Sequence, residues 1–217
     1  MSNSRNDRHS ALGKRIAGGG GSAKVIGREA AAAAARLTAR AAEQGLADVV
    51  YGSLDTPFGT MLAANSKRGL VRVAYPEESL DGMLGRIAST LSPRIVEAPA
   101  ALDPLKRQLE EYFSGRRRTF EVPLDWSLMS PFTKRVLKAT AGIPYGGVLS
   151  YMEVAGEAGS PRGSRAAGNA LGANPIPIVI PCHRVLHSGG RIGGYGGGLE
   201  RKRWLLELEG SRTPRMG

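Results

Sequence analysis

Cysteine is the scarcest residue with catalytic potential, since the 217-residue sequence contains one, Cys182. A single cysteine excludes an internal disulfide. The sequence has only three histidines (His9, His183 and His187), so a structural zinc site of the four-cysteine or mixed Cys/His type is also excluded. We therefore expect no metal, and any sulfur chemistry takes place at one atom.

Long apolar runs are also missing. No stretch approaches the ~20 apolar residues that span a bilayer, and the N-terminal MSNSRNDRHS lacks the apolar core of a secretory signal. The sequence thus predicts a cytoplasmic protein with no membrane partner. Hydrophobic residues make up 41% and charged residues 23% of the chain, which is ordinary globular usage and argues against wholesale disorder.

Acidic residues are outnumbered, and the net charge is +11. Residues 1–48 have a net charge of +4, residues 49–129 are neutral, and residues 130–217, which contain Cys182, have a net charge of +7. A basic segment beside a neutral one favours an anionic partner, nucleic acid above all. A solubilising surface is the alternative for scattered charge.

Composition and periodicity divide the chain into three regions. Residues 1–46 predict a flexible basic tail followed by an alanine-rich helix. The tail ends in the run Gly18–Gly21, and the helix has almost no core-forming face. Residues 47–127 alternate strand and helix patterns and predict a small, mainly antiparallel sheet with helix cover, including a strand over Thr119–Leu124. We expect this α/β region to be a scaffold.

Residues 128–212 predict a mostly helical domain. Ser130-Pro131 opens one helix, and two short helices, Tyr151–Gly156 and Arg165–Ala173 with Ser164 as its N-cap, have the spacing of a helix-turn-helix. Small residues make the second of these helices nearly flat, and Arg165 projects from its first turn. That surface suits close approach to DNA, although close helix packing within the domain is an equal alternative.

The surroundings of Cys182 suggest more than an inert buried thiol, which is the default for a lone cysteine. Nearby prolines, Pro177 and Pro181 among them, stiffen its approach, and the adjacent His183 is a base that favours the thiolate. The glycine-rich loop Gly193–Gly198 would let backbone come close to a flat ligand. The adjacent histidine does not have the spacing of papain-like proteases.

Three stretches together resemble the O6-alkylguanine-DNA alkyltransferases, also called methylated-DNA–protein-cysteine methyltransferases. They read IPYGGVLSYMEVA, SRAAGNALGANPIPIVIPCHRV and GGYGGGLERKRWLLELEG. The PCHRV segment, with Asn-Pro upstream and Gly-Tyr downstream, is the most specific part. The resemblance is strong over residues 130–210 and weaker over 49–126. It implies a ribonuclease H-like N-terminal domain, and a winged-helix or helix-turn-helix C-terminal domain.

The resemblance implies direct reversal of DNA damage, with the damaged guanine flipped out of the duplex. Cys182 matches the acceptor that takes the alkyl group irreversibly, once per molecule. His183 and Glu209 match a relay that deprotonates the thiol through a water. Asn174 matches a residue that ties the turn to the active-site loop, and Tyr151 matches the tyrosine that donates a proton or a hydrogen bond to the departing guanine oxygen. No cofactor is implied, and the activity on O4-alkylthymine is left open.

The same resemblance assigns the DNA contacts and the base pocket. Arg165 matches the finger that fills the place of the flipped base. The other positions expected to contact double-stranded DNA are Tyr151, Ser160, Ala166, Gly168, Arg184 and Ser188. The pocket residues are expected to be Tyr195, Gly196, Val185 and Leu171. We expect a monomer.

The chain departs from the family pattern at two positions. Leu137 stands where many relatives have tryptophan, and Gly196 where some have serine, which removes a hydroxyl contact to the guanine oxygen. Two other function classes remain open: a non-catalytic protein that flags alkylated DNA, and a transcriptional regulator. The presence of Cys182 disfavours the first, and the absence of a second recognisable DNA-binding module disfavours the other.

Overall fold

The structure, a computed structural model, describes residues 29–30, 32–34, 36–38, 40 and 44–211. The glycine-ended tail predicted before residue 22 lies outside them. The described positions between 29 and 40 are helical and almost all exposed, as an alanine run without an apolar face predicts. No described helix is long and apolar enough to cross a membrane.

A four-stranded sheet organises residues 44–127, called here the N-terminal domain. Its order is β3-β2-β1-β4, with antiparallel pairs except for the parallel pairing of β4 with β1. The strands are β1 (Val49–Thr56), β2 (Gly59–Ser66), β3 (Gly69–Ala74) and β4 (Ile95–Glu97). The predicted, mainly antiparallel sheet is confirmed. The short β4, which shows no alternation, was not predicted.

The strand expected over Thr119–Leu124 is wrong. Within this segment only Leu124 pairs with the sheet, through an isolated bridge to Leu70. Pro123 has no backbone N–H, so it cannot donate to a ladder there. Its carbonyl instead accepts a hydrogen bond from the Leu70 N–H (2.8 Å).

Helices cover the two faces of the sheet differently. Helix α1 (Leu80–Thr90), capped by Ser79, packs Met83 and Ile87 on one face in a small separate core. Helix α2 (Asp103–Phe113) buries Leu105, Leu109 and Tyr112 on the other face. That second core continues into residues 128–211, called here the C-terminal domain, so the two domains share one apolar interior.

Four helices build the C-terminal domain: α3 (Pro131–Ala141), α4 (Tyr151–Glu157), α5 (Ser164–Gly172) and α6 (Leu199–Leu208). Ser130 caps α3 as predicted, and Ser150 forms a capping box with Glu153 at the start of α4. Gly163, not Ser164, occupies the N-cap position of α5. A two-residue parallel pair, β5 (Leu149–Ser150) with β6 (Val185–Leu186), joins α4 to the cysteine segment.

Candidate active site around Cys182

Cys182 begins a single 3-10 turn, Cys182–Arg184, at the end of a tightly held loop. Asn174 organises this loop: its Oδ1 accepts from the Ile176 N–H (3.0 Å), and its Nδ2 donates to the Ile180 carbonyl (2.9 Å). The same Nδ2 lies 3.0 Å from the Cys182 Sγ. Ile178, fully buried between these residues, has a left-handed φ of 74°. The loop therefore holds the sulfur in one geometry, at the cost of backbone strain.

The thiol is nearly enclosed, with Cys182 6% exposed. Burial raises its pKa to about 11, against the opposing effects of the Asn174 amide and the Lys202 charge. Loss of solvent disfavours the thiolate more than these two groups support it. At neutral pH the sulfur is protonated, so its use as a nucleophile requires a base.

A buried histidine–carboxylate pair lies directly after the thiol. The Nε2 of His183 is 2.9 Å from Oε1 of Glu209, which caps the C-terminus of α6, and both side chains are 0% exposed. Burial lowers the pKa of His183, against the effect of Glu209. The imidazole is therefore neutral at pH 7 and free to accept a proton. Its Nδ1 is buried and makes no hydrogen bond with any described residue.

Arg184 completes this cluster, and its side chain is buried against Glu209. Its Nε and Nη2 lie 2.8 Å from the two oxygens of Glu209, and a third nitrogen donates to the Ile143 carbonyl. With a side chain only 7% exposed, it cannot reach a phosphate. The expected DNA contact is wrong, because the ion pair with a buried carboxylate outweighs the preference of arginine for the surface.

A cavity of about 730 Å³ opens onto the sulfur from the surface of the helix-turn-helix. The expected site residues that line it are Tyr151, Arg165, Gly168, Leu171, Cys182, Ser188, Tyr195 and Gly196. Val185 is not among the lining residues, because it is fully buried in β6. The prediction that the Val185 side chain lines the pocket is therefore wrong. A cavity of this size lies within the range of small-molecule binding sites.

Tyr151 forms one wall of the cavity. Its hydroxyl donates to the Gly194 carbonyl (3.2 Å), and its ring lies 5.1 Å from that of His187. Gly193 allows this packing, because a Cβ there would meet the Tyr151 hydroxyl at 2.5 Å. The glycine-rich loop thus comes close to an aromatic side chain, as well as leaving room for a ligand.

The mouth of the cavity is the flat side of α5. Arg165 and Ala166 are exposed and Gly168 is half-buried, while Ala167 packs inward. Ser160 lies in the turn between α4 and α5, where its carbonyl accepts from the Gly163 N–H (2.7 Å). The structure therefore satisfies both interpretations of the small residues: one side packs in the core, and the other is free to approach a second body.

Lys202 of α6 belongs to the site, and sequence reasoning missed it. Its side chain is completely buried, and Nζ donates to the carbonyls of Val185 (2.6 Å) and Gly194 (3.3 Å). Burial lowers its pKa to about 8, although the nearby Cys182 opposes this. One signal was available, because Lys202 shares a helical face with the buried Leu205 and Leu206.

The N-terminal domain also reaches the site. The hydroxyl of Tyr75, just after β3, lies 2.6 Å from that of Tyr195, and the hydroxyl of Tyr112 donates to Oε1 of Glu209 (2.6 Å). The Val73 N–H of β3 donates to the Pro175 carbonyl (2.8 Å). Sequence reasoning gave this domain no part in the site.

Comparison with known proteins identifies similar sequences and structures. Two family profiles match the chain: the DNA-binding domain of 6-O-methylguanine DNA methyltransferase at residues 131–211, and the ribonuclease-like domain of the same family at residues 49–126. A methylated-DNA–protein-cysteine methyltransferase of Mycobacterium tuberculosis is 39% identical over 164 residues, 76% of this chain and 94% of that protein. The human protein of that name is 36% identical over 179 residues, 76% of this chain and 82% of that protein.

The fold agrees with solved structures of such proteins. The crystal structure of OGT from M. tuberculosis in complex with DNA superposes with a TM-score of 0.65 at 39% identity, covering 76% of this chain and 96% of that one. The O6-methylguanine methyltransferase structure from the same organism gives the same TM-score and identity over 77% of this chain and 96% of that one.

Proposed function

Because the chain belongs to the methylated-DNA–protein-cysteine methyltransferase family, we propose that Cys182 is the residue that accepts the alkyl group. The protein is a DNA-repair transferase that moves a methyl or alkyl group from O6-alkylguanine in DNA to a cysteine. One observation supports Cys182 most directly: it is the only cysteine of the chain, and its sulfur lies at the base of the cavity beside the helix-turn-helix.

Activation of the thiol is the first step of the proposed mechanism. The neutral His183 takes the thiol proton at Nδ1 through a bridging water, while Glu209 holds its Nε2 side. Asn174 donates to the sulfur, and Lys202 adds a positive charge nearby. Both groups stabilise the thiolate as it forms, which offsets part of the cost of burial.

Transfer of the alkyl group is a displacement at saturated carbon. The thiolate sulfur forms a bond to the alkyl carbon as the bond from that carbon to guanine O6 breaks, and the bonding electron pair goes to the guanine. Tyr151, on the cavity wall, supplies a hydrogen bond or proton to this developing charge. The products are guanine and S-alkylcysteine, so each molecule reacts once.

Docking on DNA uses the exposed side of α5. The guanine O6 group cannot be reached inside the base stack, so the nucleotide turns out into the cavity. Arg165, exposed at the cavity mouth, fills the vacated place, and Ser160, Ala166, Gly168 and Ser188 lie against the duplex. The +7 charge of residues 130–217 attracts the phosphates.

Intact-protein mass spectrometry tests this proposal. The protein is mixed with excess duplex DNA containing O6-methylguanine, and we expect a gain of one methyl group per chain that maps to Cys182. The Cys182→Ser variant should bind the same DNA and gain no mass. Binding without any mass gain in the wild type would instead indicate a protein that flags alkylated DNA.

Three sequence expectations stay predictions for this protein: division of the chain near residues 46 and 127, a monomeric state and a cytoplasmic location. Sedimentation of the free protein and of its DNA complex tests the monomer. Limited proteolysis tests the division, with cleavage expected near residue 46 and little between residues 126 and 131, where the two domains share a core.

A further inference from the structure

A side chain of the N-terminal domain touches the buried relay of the C-terminal domain. Tyr112, in the last turn of α2, is completely buried, and its hydroxyl lies 2.6 Å from Oε1 of Glu209, a residue 97 positions further along the chain. The same carboxylate oxygen faces Nε2 of His183 (2.9 Å) and Nη2 of Arg184 (2.8 Å). Tyr112 and His183 therefore share one acceptor atom.

The direction of the tyrosine hydrogen bond is fixed by burial. Burial and the Glu209 charge raise the pKa of Tyr112, so the phenol keeps its proton and donates it to the carboxylate. Hydrogen bonds from His183 and Arg184, with a smaller contribution from Tyr112, lower the pKa of Glu209 to about 2, although burial alone would raise it. Glu209 is thus an anion whose charge is shared among several donors.

The ring of Tyr112 is held in place by its neighbours. Phe113, Phe120 and Tyr145 pack around it with ring centroids 5.5, 5.2 and 6.1 Å away. Tyr145 provides a comparison in the same cluster, since its hydroxyl donates to the Leu208 carbonyl (2.9 Å) and not to the carboxylate. One of two adjacent tyrosines is therefore aimed at the relay.

We propose that Tyr112 is a positioning residue for alkyl transfer: its hydroxyl fixes Glu209 and draws off part of the charge that Glu209 presents to His183. The N-terminal domain is then part of the proton relay and not only a scaffold. This inference rests on the proposed function, in which His183 is the proton acceptor. The other ionisable groups that act on His183 are Arg184, Lys202 and Glu209 itself, and Tyr145 and Arg184 act on Tyr112.

The Tyr112→Phe variant tests the proposal because it removes one oxygen and keeps the ring. With one donor fewer, Glu209 presents more negative charge to His183, so the imidazole holds a proton to higher pH. We expect the acidic limb of the single-turnover rate to move to higher pH. At pH values below the titration midpoint of His183 the rate should fall about three- to tenfold, the scale of one hydrogen bond, and it should approach the wild-type rate at pH 9.

Tyr145→Phe is the matched control, since it removes a hydroxyl from the same aromatic cluster without touching Glu209. Its acidic limb should coincide with that of the wild type, and DNA affinity should be unchanged in both variants. A merely structural role for Tyr112 would lower the rate equally at every pH. That result, or the same shift of the limb in both variants, would overturn the proposal.

A direct titration separates this inference from the proposed function. With His9 and His187 replaced by Gln, His183 is the only histidine, and its NMR titration needs no DNA. Its midpoint should rise in Tyr112→Phe even if alkyl transfer were to fail, and an unchanged midpoint would overturn the proposal. If Tyr112→Phe does not fold, 3-fluorotyrosine at position 112 keeps the hydroxyl as a stronger donor. The midpoint should then fall, and no shift would be equally decisive against the inference.

Discussion

The two domains bury charge to very different extents. Five charged or chargeable Asp, Glu, Lys, Arg and His side chains are buried in the described chain, and four of them, His183, Arg184, Lys202 and Glu209, lie in the C-terminal domain. The N-terminal domain buries Asp125, and its other ion pairs are exposed or partly buried. Buried charge is costly, so its concentration around one sulfur distinguishes the chemical half of the molecule from the half that mainly supports it.

Removal of a buried charge should have the largest effect on stability. Arg184→Met leaves Glu209 buried without its guanidinium partner, and we expect a loss of about 3–5 kcal/mol in the free energy of unfolding. Urea denaturation at pH 7 measures it. If the loss were below about 1 kcal/mol, as for an exposed pair, the contrast between the domains would not hold.

The pH dependence of this effect has a definite sign. The folded-state pKa of Glu209 is about 2, below its ordinary value of 4.5, so its contribution to stability is complete above pH 4.5 and is lost as the pH falls toward 2. Without Arg184 the pKa of Glu209 rises. The difference in stability between variant and wild type should therefore shrink below pH 4.5, and a difference that grows in acid would contradict this assignment.

A backbone change in the N-terminal domain should reduce stability without changing the chemistry. Gly69 has φ +130°, and a Cβ there would lie 2.2 Å from the Pro123 carbonyl oxygen. We expect Gly69→Ala to cost roughly 2–3 kcal/mol, measured by urea denaturation. The transfer rate per folded molecule should not change, and a changed rate would give this part of the domain a catalytic role.

Gly85→Ala is the matched control for this glycine. Gly85 is exposed within α1, and a Cβ there would meet no atom within 4 Å. This substitution should stabilise the domain by about 0.5–1 kcal/mol, because glycine loses more backbone entropy on folding than alanine does.

A third change concerns the buried lysine. Lys202→Met removes the donor to the Val185 and Gly194 carbonyls and the charge that supports the thiolate. We expect the single-turnover rate to fall about tenfold, equivalent to ~1.4 kcal/mol in the activation barrier. The pH dependence of Cys182 alkylation by iodoacetamide should show a higher thiol pKa. Arg203→Met, one residue along α6 and exposed, removes the same charge and should leave both quantities unchanged.

The smallest effect is expected for an exposed ion pair. Arg94 donates two hydrogen bonds, of 2.8 and 2.7 Å, to the carboxylate of Asp48 at the edge of the sheet. Solvent and salt screen such a pair. Thermal melting of Arg94→Met should be close to that of the wild type, and any difference should vanish when salt is raised. A large, salt-independent loss would mean that both domains depend on charge alike.

The sequence predicted elements whose signal is local. The alternation at Leu70–Tyr75 and the Ser130-Pro131 helix start are read within a few residues, and the structure contains both. The Asn174, Cys182 and His183 cluster lies within one short segment, so its proximity could also be predicted. Their catalytic roles stay predictions.

The errors at Arg184, Lys202 and Tyr112 share a physical cause, because each of these side chains has its partners on another element of the fold. Arg184 lies in a basic segment, which favours the prediction of a phosphate contact. In the fold it pairs instead with the buried Glu209. Lysine is usually a surface residue, and the carbonyls that accept from Lys202 belong to strand β6 and to the glycine-rich loop, outside its own helix. Tyr112 and Leu109 have helical spacing, and this predicts that Tyr112 is buried. The spacing does not predict that its hydroxyl donates to Glu209.

The enclosure of the sulfur has a consequence for how the protein can be observed. In the native state the thiol is 6% exposed, its pKa is near 11, and the loop that carries it contains the left-handed Ile178. In an unfolded chain the same sulfur is open to solvent with a pKa of about 8.5. A brief pulse of a general thiol reagent will therefore label unfolded, unreacted copies ahead of folded ones. With one cysteine per molecule, the label counts them directly.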